Sequence, residues 1–294
     1  MADAKLIKQL RDMTQAGFVD CKKALIECHD NLEAASKYLR EKGLAKAAKK
    51  AGAIAAEGVA LAGVNDKSAY IIEINTQTDF AAKNQHFIKL CEEIMKQIHN
   101  SECLDIEVVK NLKLSDGETV GSKCDTLTAK TGEKISVRRF GRIVKQAGQD
   151  VAFYQHANKK YASICLFDKK VDETLKKQIC MHIVARNPKF INAKQVDASW
   201  VETEKTIIEK TSQNGNKPAK FLKKIVEGRL AKRLAEVCLC NQEFDFEPTI
   251  TVGQLLASKG IKLLSFARYE VGEGLEKKTV DFATEVAQQM GTNK

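Results

Sequence analysis

Apolar positions along this chain change their period several times, and each change marks an element. Leu6, Ile7, Leu10 and Met13 recur at helical spacing, and Phe18, Cys21, Leu25 and Cys28 do so again. Asp30 with Glu33 reads as a capping box opening a third helix, which carries Leu32, Ala35 and Leu39 and stops at Gly43. With Thr14-Gln15-Ala16-Gly17 as the first turn, these make a small three-helix bundle. Residues 45–56 are dominated by Ala, Lys and Gly. They cannot bury a face, so they read as a linker able to be helical.

The period then drops to that of strands. Tyr70-Ile71-Ile72-Glu73-Ile74-Asn75 is rich in β-branched and aromatic residues and runs up to Thr76. From Ala81 the spacing turns helical, through Phe87, Ile88, Cys91, Ile94, Met95 and Ile98, with Thr78 or Asp79 as its N-cap. Phe80 is thereby left in the first turn of a strand-to-helix corner. Two readings stand open: a core side chain beside a carboxylate cap, or an anchor aimed at a partner.

Strand 58–63, the turn 64–67, strand 68–75 and the helix from Ala81 form a unit. The order recurs in strand 151–156, turn 157–160, strand 161–167 and helix 172–186. Each half ends in further strand material, at 134–139 and at 263–271, which predicts two antiparallel sheets backed by helices. Residues 187–233 are inserted within the second half, between helix 172–186 and its return strands. There Val196, Val201, Ile207 and Ile208, then Phe221, Leu222, Ile225 and Val226, predict two helices separated by a strong turn at 212–218. The result is an antiparallel helical hairpin, on which Trp200 reads either as an anchor or as packed at the hairpin base. Val252, Leu255 and Leu256 share a face of a helix over 251–259, and Phe282, Val286 and Met290 stripe a helix over 279–290.

Composition narrows the classes. At 44% apolar residues, 294 residues can build two or three real cores. The net charge of +10 favours an acidic partner or nucleic acid, but 38 acidic residues against 48 basic ones make no basic tail, and 6% aromatics are thin for stacking bases. Nine cysteines without a Cys-x-x-Cys pair read as free core thiols of a reducing cytoplasm, with Cys238 and Cys240 alternating on a strand. The start lacks a signal h-region, and no apolar run reaches membrane-spanning length. There is no phosphate-cradling Gly-rich loop ending in Lys and Ser or Thr, and Gly272-Glu273-Gly274 is too short for a dinucleotide fingerprint. His29, His86, His99, His156 and His182 are scattered without metal-ligand or triad spacing, His182 reading as a core residue.

Stretch 73–83, reading Glu-Ile-Asn-Thr-Gln-Thr-Asp-Phe-Ala-Ala-Lys, resembles a signature of the elongation factor Ts family, guanine-nucleotide exchange factors of the GTPase elongation factor Tu. So do stretches 10–25, 132–139, 154–156, 181–183 and 269–274, which are collinear over nearly the whole chain. Thr76 stands where the family often has Cys, Ala81 where it often has Val, and Thr131 where it usually has Ile. Phe18-Val19 replaces a Met pair.

The resemblance implies an α+β protein with a ubiquitin-associated-like bundle and linker (1–55) and a two-halved core (56–146, then 147–186 with 234–278). It adds a coiled-coil hairpin (187–233) and a C-terminal docking helix (279–294). It implies a cytoplasmic exchange factor without a catalytic site or cofactor, whose partner is elongation factor Tu. Thr78, Asp79, Phe80 and Ala81 would disturb the partner's Mg²⁺ site. Arg11, Phe18, Val19, Lys22 and Gly132 would add contacts, and His156 would face a different domain of the partner. Direct nucleotide binding and nucleic acid are not expected. The rivals are an RNA-binding or ribosome-associated protein, which the charge favours, and a ubiquitin-type adaptor, which leaves the two sheets unexplained.

Overall fold

The computed structural model describes residues 3–14, 16–212 and 219–275. The chain opens with α1 (Ala4–Thr14), α2 (Phe18–Glu27) and α3 (Leu32–Lys50). Ile7, Leu10, Cys21, Ala24, Leu25 and Ala35 close into a core of their own. The third helix departs from expectation at both ends. Its cap is Asn31, whose side chain accepts the Ala34 N–H, while Asp30 sits at a φ of 60°. Nor does it stop at Gly43. It runs on to Lys50, because Gly43 lies against the helix α7 (Val120–Thr131), where an added Cβ would come within 2.9 Å of Ala129. Here glycine permits close packing and ends nothing.

Two three-stranded antiparallel sheets follow. The first is ordered β1 (Glu57–Val64), β2 (Ser68–Thr76), β3 (Ser136–Val144). The second is ordered β4 (Asp150–Gln155), β5 (Tyr161–Phe167), β8 (Leu263–Glu270). Strand alternation sorts each sheet's two faces. Tyr70, Ile72 and Ile74 of β2 join Val59 and Leu61 of β1 against α5 (Gln85–His99), α6 (Ile106–Asn111) and α7. The opposite face offers Ala60, Ala62, Ala69 and Ile71, which meet Val151, Ala162, Ile164 and Leu166 of the second sheet. The far side of that sheet, with Cys165 and Phe167, packs on α8 (Glu173–Arg186) and α11 (Val252–Ser258). The layers thus run helix, sheet, sheet, helix. Small residues at the middle interface let the sheets approach, and every residue of β2 is buried. The fold is α+β, with antiparallel sheets backed by helices and a helical N-terminus.

The insertion forms α9 (Ala198–Ser212) and α10 (Ala219–Val237), which pack on each other. Trp200 sets its ring edge-on to Phe190, 6.3 Å away. The turn over 213–218 and the amphipathic stretch over 279–290 lie outside the described residues.

Several features went unread. Helix α6 buries only Val109 and displays no period, whereas α7 buries Val120, Cys124, Leu127 and Thr128 at helical spacing; Asp105 and Thr119 cap them by accepting the Val108 and Ser122 amides. A small ribbon of β6 (Glu243–Phe244) and β7 (Glu247–Thr251) precedes α11. Cys238 and Cys240 are not on a strand. Cys238 caps a single 3₁₀ turn over Leu239–Asn241 and Cys240 lies within it, and all nine cysteines are free thiols.

Candidate functional site

The corner after β2 is built by side chains satisfying the backbone. Thr76 ends the strand and donates its hydroxyl to the Thr78 carbonyl at 2.6 Å. Thr78 is extended and accepts the Ala81 N–H at 3.2 Å, so the cap is a hydroxyl and Asp79 is not the capping residue. The helix it starts, α4 (Asp79–Ala82), has four residues. After Lys83 the chain breaks, and Asn84 caps α5 by accepting the His86 N–H at 2.8 Å. One predicted helix is therefore two.

That break decides the fate of two phenylalanines. Phe87 is 1% exposed among the core residues, whereas Phe80 is 80% exposed. Core packing for Phe80 is thus excluded in the free protein. Ala81 behind it is buried. Asp79 beside it accepts from Lys83 Nζ at 2.8 Å, a hydrogen bond that holds its carboxyl below the usual range. The corner thus presents an exposed aromatic ring next to a carboxylate held by Lys83.

A second stretch clamps the corner. Helix α7 ends at Gly132, in the left-handed conformation with φ 73°, which turns the next residue back. The Glu133 carboxylate then accepts the Thr78 N–H at 3.0 Å and the Thr78 hydroxyl at 2.8 and 2.9 Å. The Lys134 N–H donates to Gln77 Oε1 at 2.8 Å, and its ammonium donates to the Ala51 and Ala53 carbonyls beyond α3. Thr131 turns its hydroxyl onto its own helix at the Leu127 carbonyl.

The third stretch joins through Glu73, which is wholly buried. Its carboxylate takes both Arg138 Nη1 contacts, at 3.0 and 3.1 Å, the Arg139 Nε and the Gly272 N–H at 2.8 Å. Arg139 lies 4.1 Å from the Tyr269 ring centroid and reaches the Glu270 carbonyl and the Glu273 carboxylate. Gly272 has φ 77°, and any Cβ there would fall 2.3 Å from the Ala56 carbonyl. Segments 73–83, 132–139 and 269–274 are thus one hydrogen-bonded unit. Neither Glu73 nor Glu133 was singled out from sequence. A lone carboxylate inside an apolar strand was the available signal for Glu73.

The other expected residues lie elsewhere. Arg11, Phe18, Val19 and Lys22 are exposed on α1 and α2, with Phe18 and Val19 at 54% and 62%. His156 follows β4, half-buried, its Nδ1 2.9 Å from the Tyr154 hydroxyl and its ring edge-on to Tyr154 and Tyr161. It lines a cavity of about 500 Å³ shared with Met181, His182, Asp245 and Arg268. His182 is fully buried there, with Gln242 at 3.0 Å and Asp245 at 3.1 Å. Burial lowers its pKa, and the Asp245 carboxylate pulls the other way. So Thr78–Ala81 and Gly132 form one site, while the bundle and His156 are separate patches. Among the described residues, no helix is long and apolar enough to cross a membrane, and no group of three His, Cys, Asp or Glu could hold a metal ion.

This combination defines a class: a layered α+β protein that offers an aromatic side chain on a rigid, multiply clamped corner. Comparison with known proteins gives the particular family. The family model described as Elongation factor TS matches residues 77–273. A curated "Elongation factor Ts" from Mycoplasmoides gallisepticum is 45% identical over 286 residues, covering 97% of this chain and 98% of that protein. Those of Pediococcus pentosaceus and Malacoplasma penetrans are 43% and 45% identical, each covering 98% of both chains. The chain belongs to the elongation factor Ts family, the elongation factors of protein biosynthesis.

Proposed function

We propose that this chain is a cytoplasmic guanine-nucleotide exchange factor that binds elongation factor Tu in its GDP form and speeds GDP release, so that GTP can rebind. The observation carrying the reading is Phe80, 80% exposed on a four-residue helix held by Thr78 and Glu133. Single exposed apolar side chains are common on folded proteins; what favours the reading is that the backbone on the N-terminal side of this exposed ring is clamped by Thr76, Thr78 and Glu133.

The mechanism follows from linkage. A GTPase holds GDP through a phosphate-cradling loop and Mg²⁺. A factor that binds its nucleotide-free form more tightly must weaken nucleotide binding by the same ratio. A thousandfold weakening needs about 4 kcal/mol. Full burial of a Phe side chain gives about 1.5–3 kcal/mol, and a desolvated neighbouring contact supplies the rest. In this reading Phe80 inserts into an apolar pocket of the nucleotide domain, Asp79 lies beside it, and the Mg²⁺ site is disturbed. Arg11, Phe18, Val19 and Lys22 on the bundle and Gly132 beside the corner add contacts. His156 meets another domain of the partner, and residues 279–294 dock on the nucleotide domain. The chain itself holds no nucleotide and performs no catalysis of its own.

The test is release of labelled GDP from elongation factor Tu with and without this protein. Unchanged release would reject the reading. A rival role in RNA binding would appear as RNA affinity falling steeply with salt, in proportion to the phosphates contacted.

A further inference from the structure

We propose that Glu133 is the positioning residue for exchange: its carboxylate locks the cap of α4 and thereby holds Phe80 at one angle and depth. This rests on the exchange reading above, and it assigns to the Gly132-Glu133-Lys134 turn a task distinct from touching the partner.

The chemistry begins at Thr78. To cap α4, its hydroxyl oxygen accepts the Ala81 N–H, and its own proton must then go elsewhere. The Thr78 N–H is a second donor at the same point. Both point at one group that only accepts, the Glu133 carboxylate, at 2.8–3.0 Å. No second residue is needed merely to cap a helix. Asp172 caps the fourteen-residue α8 alone, accepting the Thr174 and Leu175 amides.

The difference lies in length. A single turn fixes several dihedrals for one hydrogen bond and does not hold itself. Helix α4 has four residues, its outer side chain is solvent-exposed, and only Ala81 of the four is buried. Its orientation therefore depends on what grips its first residue. The Thr76 hydroxyl grips the Thr78 carbonyl and Gln77 grips Lys134, but only Glu133 engages both donors of Thr78. Glu133 is itself half-buried, and the left-handed Gly132 aims it. Without this grip the partner would have to order Phe80 on binding, and that ordering cost is subtracted from the energy available to expel nucleotide.

Glu133→Gln tests this, since an amide keeps the shape but removes the charge that strengthens the hydrogen bonds from Thr78 and leaves a single oxygen to accept both donors. Three readouts are combined: thermal melting, amide hydrogen exchange at 78–82, and GDP release from elongation factor Tu at limiting and saturating factor. The expected result is a melt close to that of the unaltered chain, and amides at 78–82 exchanging at least tenfold faster. GDP release should slow about fivefold, the ordering cost of one side chain. In a Phe80→Ala background the same change should slow release less than twofold further, because Glu133 acts through Phe80. Normal GDP release by Glu133→Gln, or an equal slowing in both backgrounds, overturns the proposal. So does a loss that only tracks the unfolded fraction. Should Glu133→Gln fail to fold, Glu133→Asp is read by the same criteria. If the unaltered chain does not speed GDP release, the exchange reading falls and takes this proposal with it, an outcome separate from those of the variants.

Discussion

The two halves of the core are the same device finished differently. Each has three antiparallel strands with the hairpin's second strand in the middle, one face on its own helices and the other on the opposite sheet. They diverge where the middle strand ends. At the end of β5, its last residue Phe167 is fully buried, Asp168 pairs through backbone and side chain with Lys262, and Val171 is buried while its N–H bonds to Asp150. The chain then enters α8 directly. After β2 it instead makes the separate turn α4 and sets Phe80 outward. One corner spends its aromatic on the core and the other presents it. The two corners differ by an added turn of backbone on a shared scaffold.

Substitutions can press on that contrast, beginning with the largest effect. Phe167→Ala should cost about 3–5 kcal/mol of folding stability, as large core truncations do, while the surviving folded protein exchanges normally. Chemical denaturation with GDP-release assays checks both parts. Glu73→Ala should cost about 3 kcal/mol, because Arg138, Arg139 and the Gly272 amide lose their shared buried acceptor. Its denaturation midpoint is the measurement, and a surface-like loss would show that the three segments hold together without it. Phe80→Ala should do the reverse of Phe167→Ala: the melting curve stays put and catalysed GDP release slows at least tenfold, about 1.4 kcal/mol. A large stability loss with normal exchange would reverse the roles assigned to the corners.

Thr78→Ala should remove about 1 kcal/mol of stability as a lost cap and slow exchange as well, since α4 then frays under Phe80. The smallest effect belongs to the second half alone. His182 has a folded-state pKa below its ordinary value, chiefly through burial. The unfolded chain therefore takes up the proton first as pH falls below about 6.5, and stability present above that pH is lost down to the folded pKa. His182→Gln should flatten this slope in melts recorded between pH 7 and pH 5.

Much of the scaffold was legible. Short apolar runs bounded by turn residues mark β1, β2, β4, β5 and β8, of which β1, β2 and β5 are buried on both faces. The helical spacing of Phe87, Cys91, Ile94 and Ile98 marks α5. Helix α6 leaves no pattern because only Val109 of its six residues is buried, while α7 carries a readable stripe of Val120, Cys124 and Leu127 whose apolar side chains are small and set among polar residues. The overrun of α3 was illegible for another reason. Gly43 is a stop signal in isolation and a packing surface only when Ala129 of α7 lies beside it.

At the site the division is sharper. Local chemistry in the sequence limits the corner's cap to Thr78 or Asp79 and puts an aromatic in the first turn, since capping and strand propensity act between near neighbours. Whether Phe80 faces water or core was not contained in that pattern. Phe80 and Phe87 both fit a helical run, and a break at Lys83-Asn84 separates them. That Thr78 rather than Asp79 does the capping, that Glu133 supports it across 55 positions, and that Glu73 ties in Gly272 across 199, became facts only on folding. Hydrogen bonds between distant segments have no period to read; tertiary packing alone chooses their partners, by leaving each buried donor and acceptor one place to go.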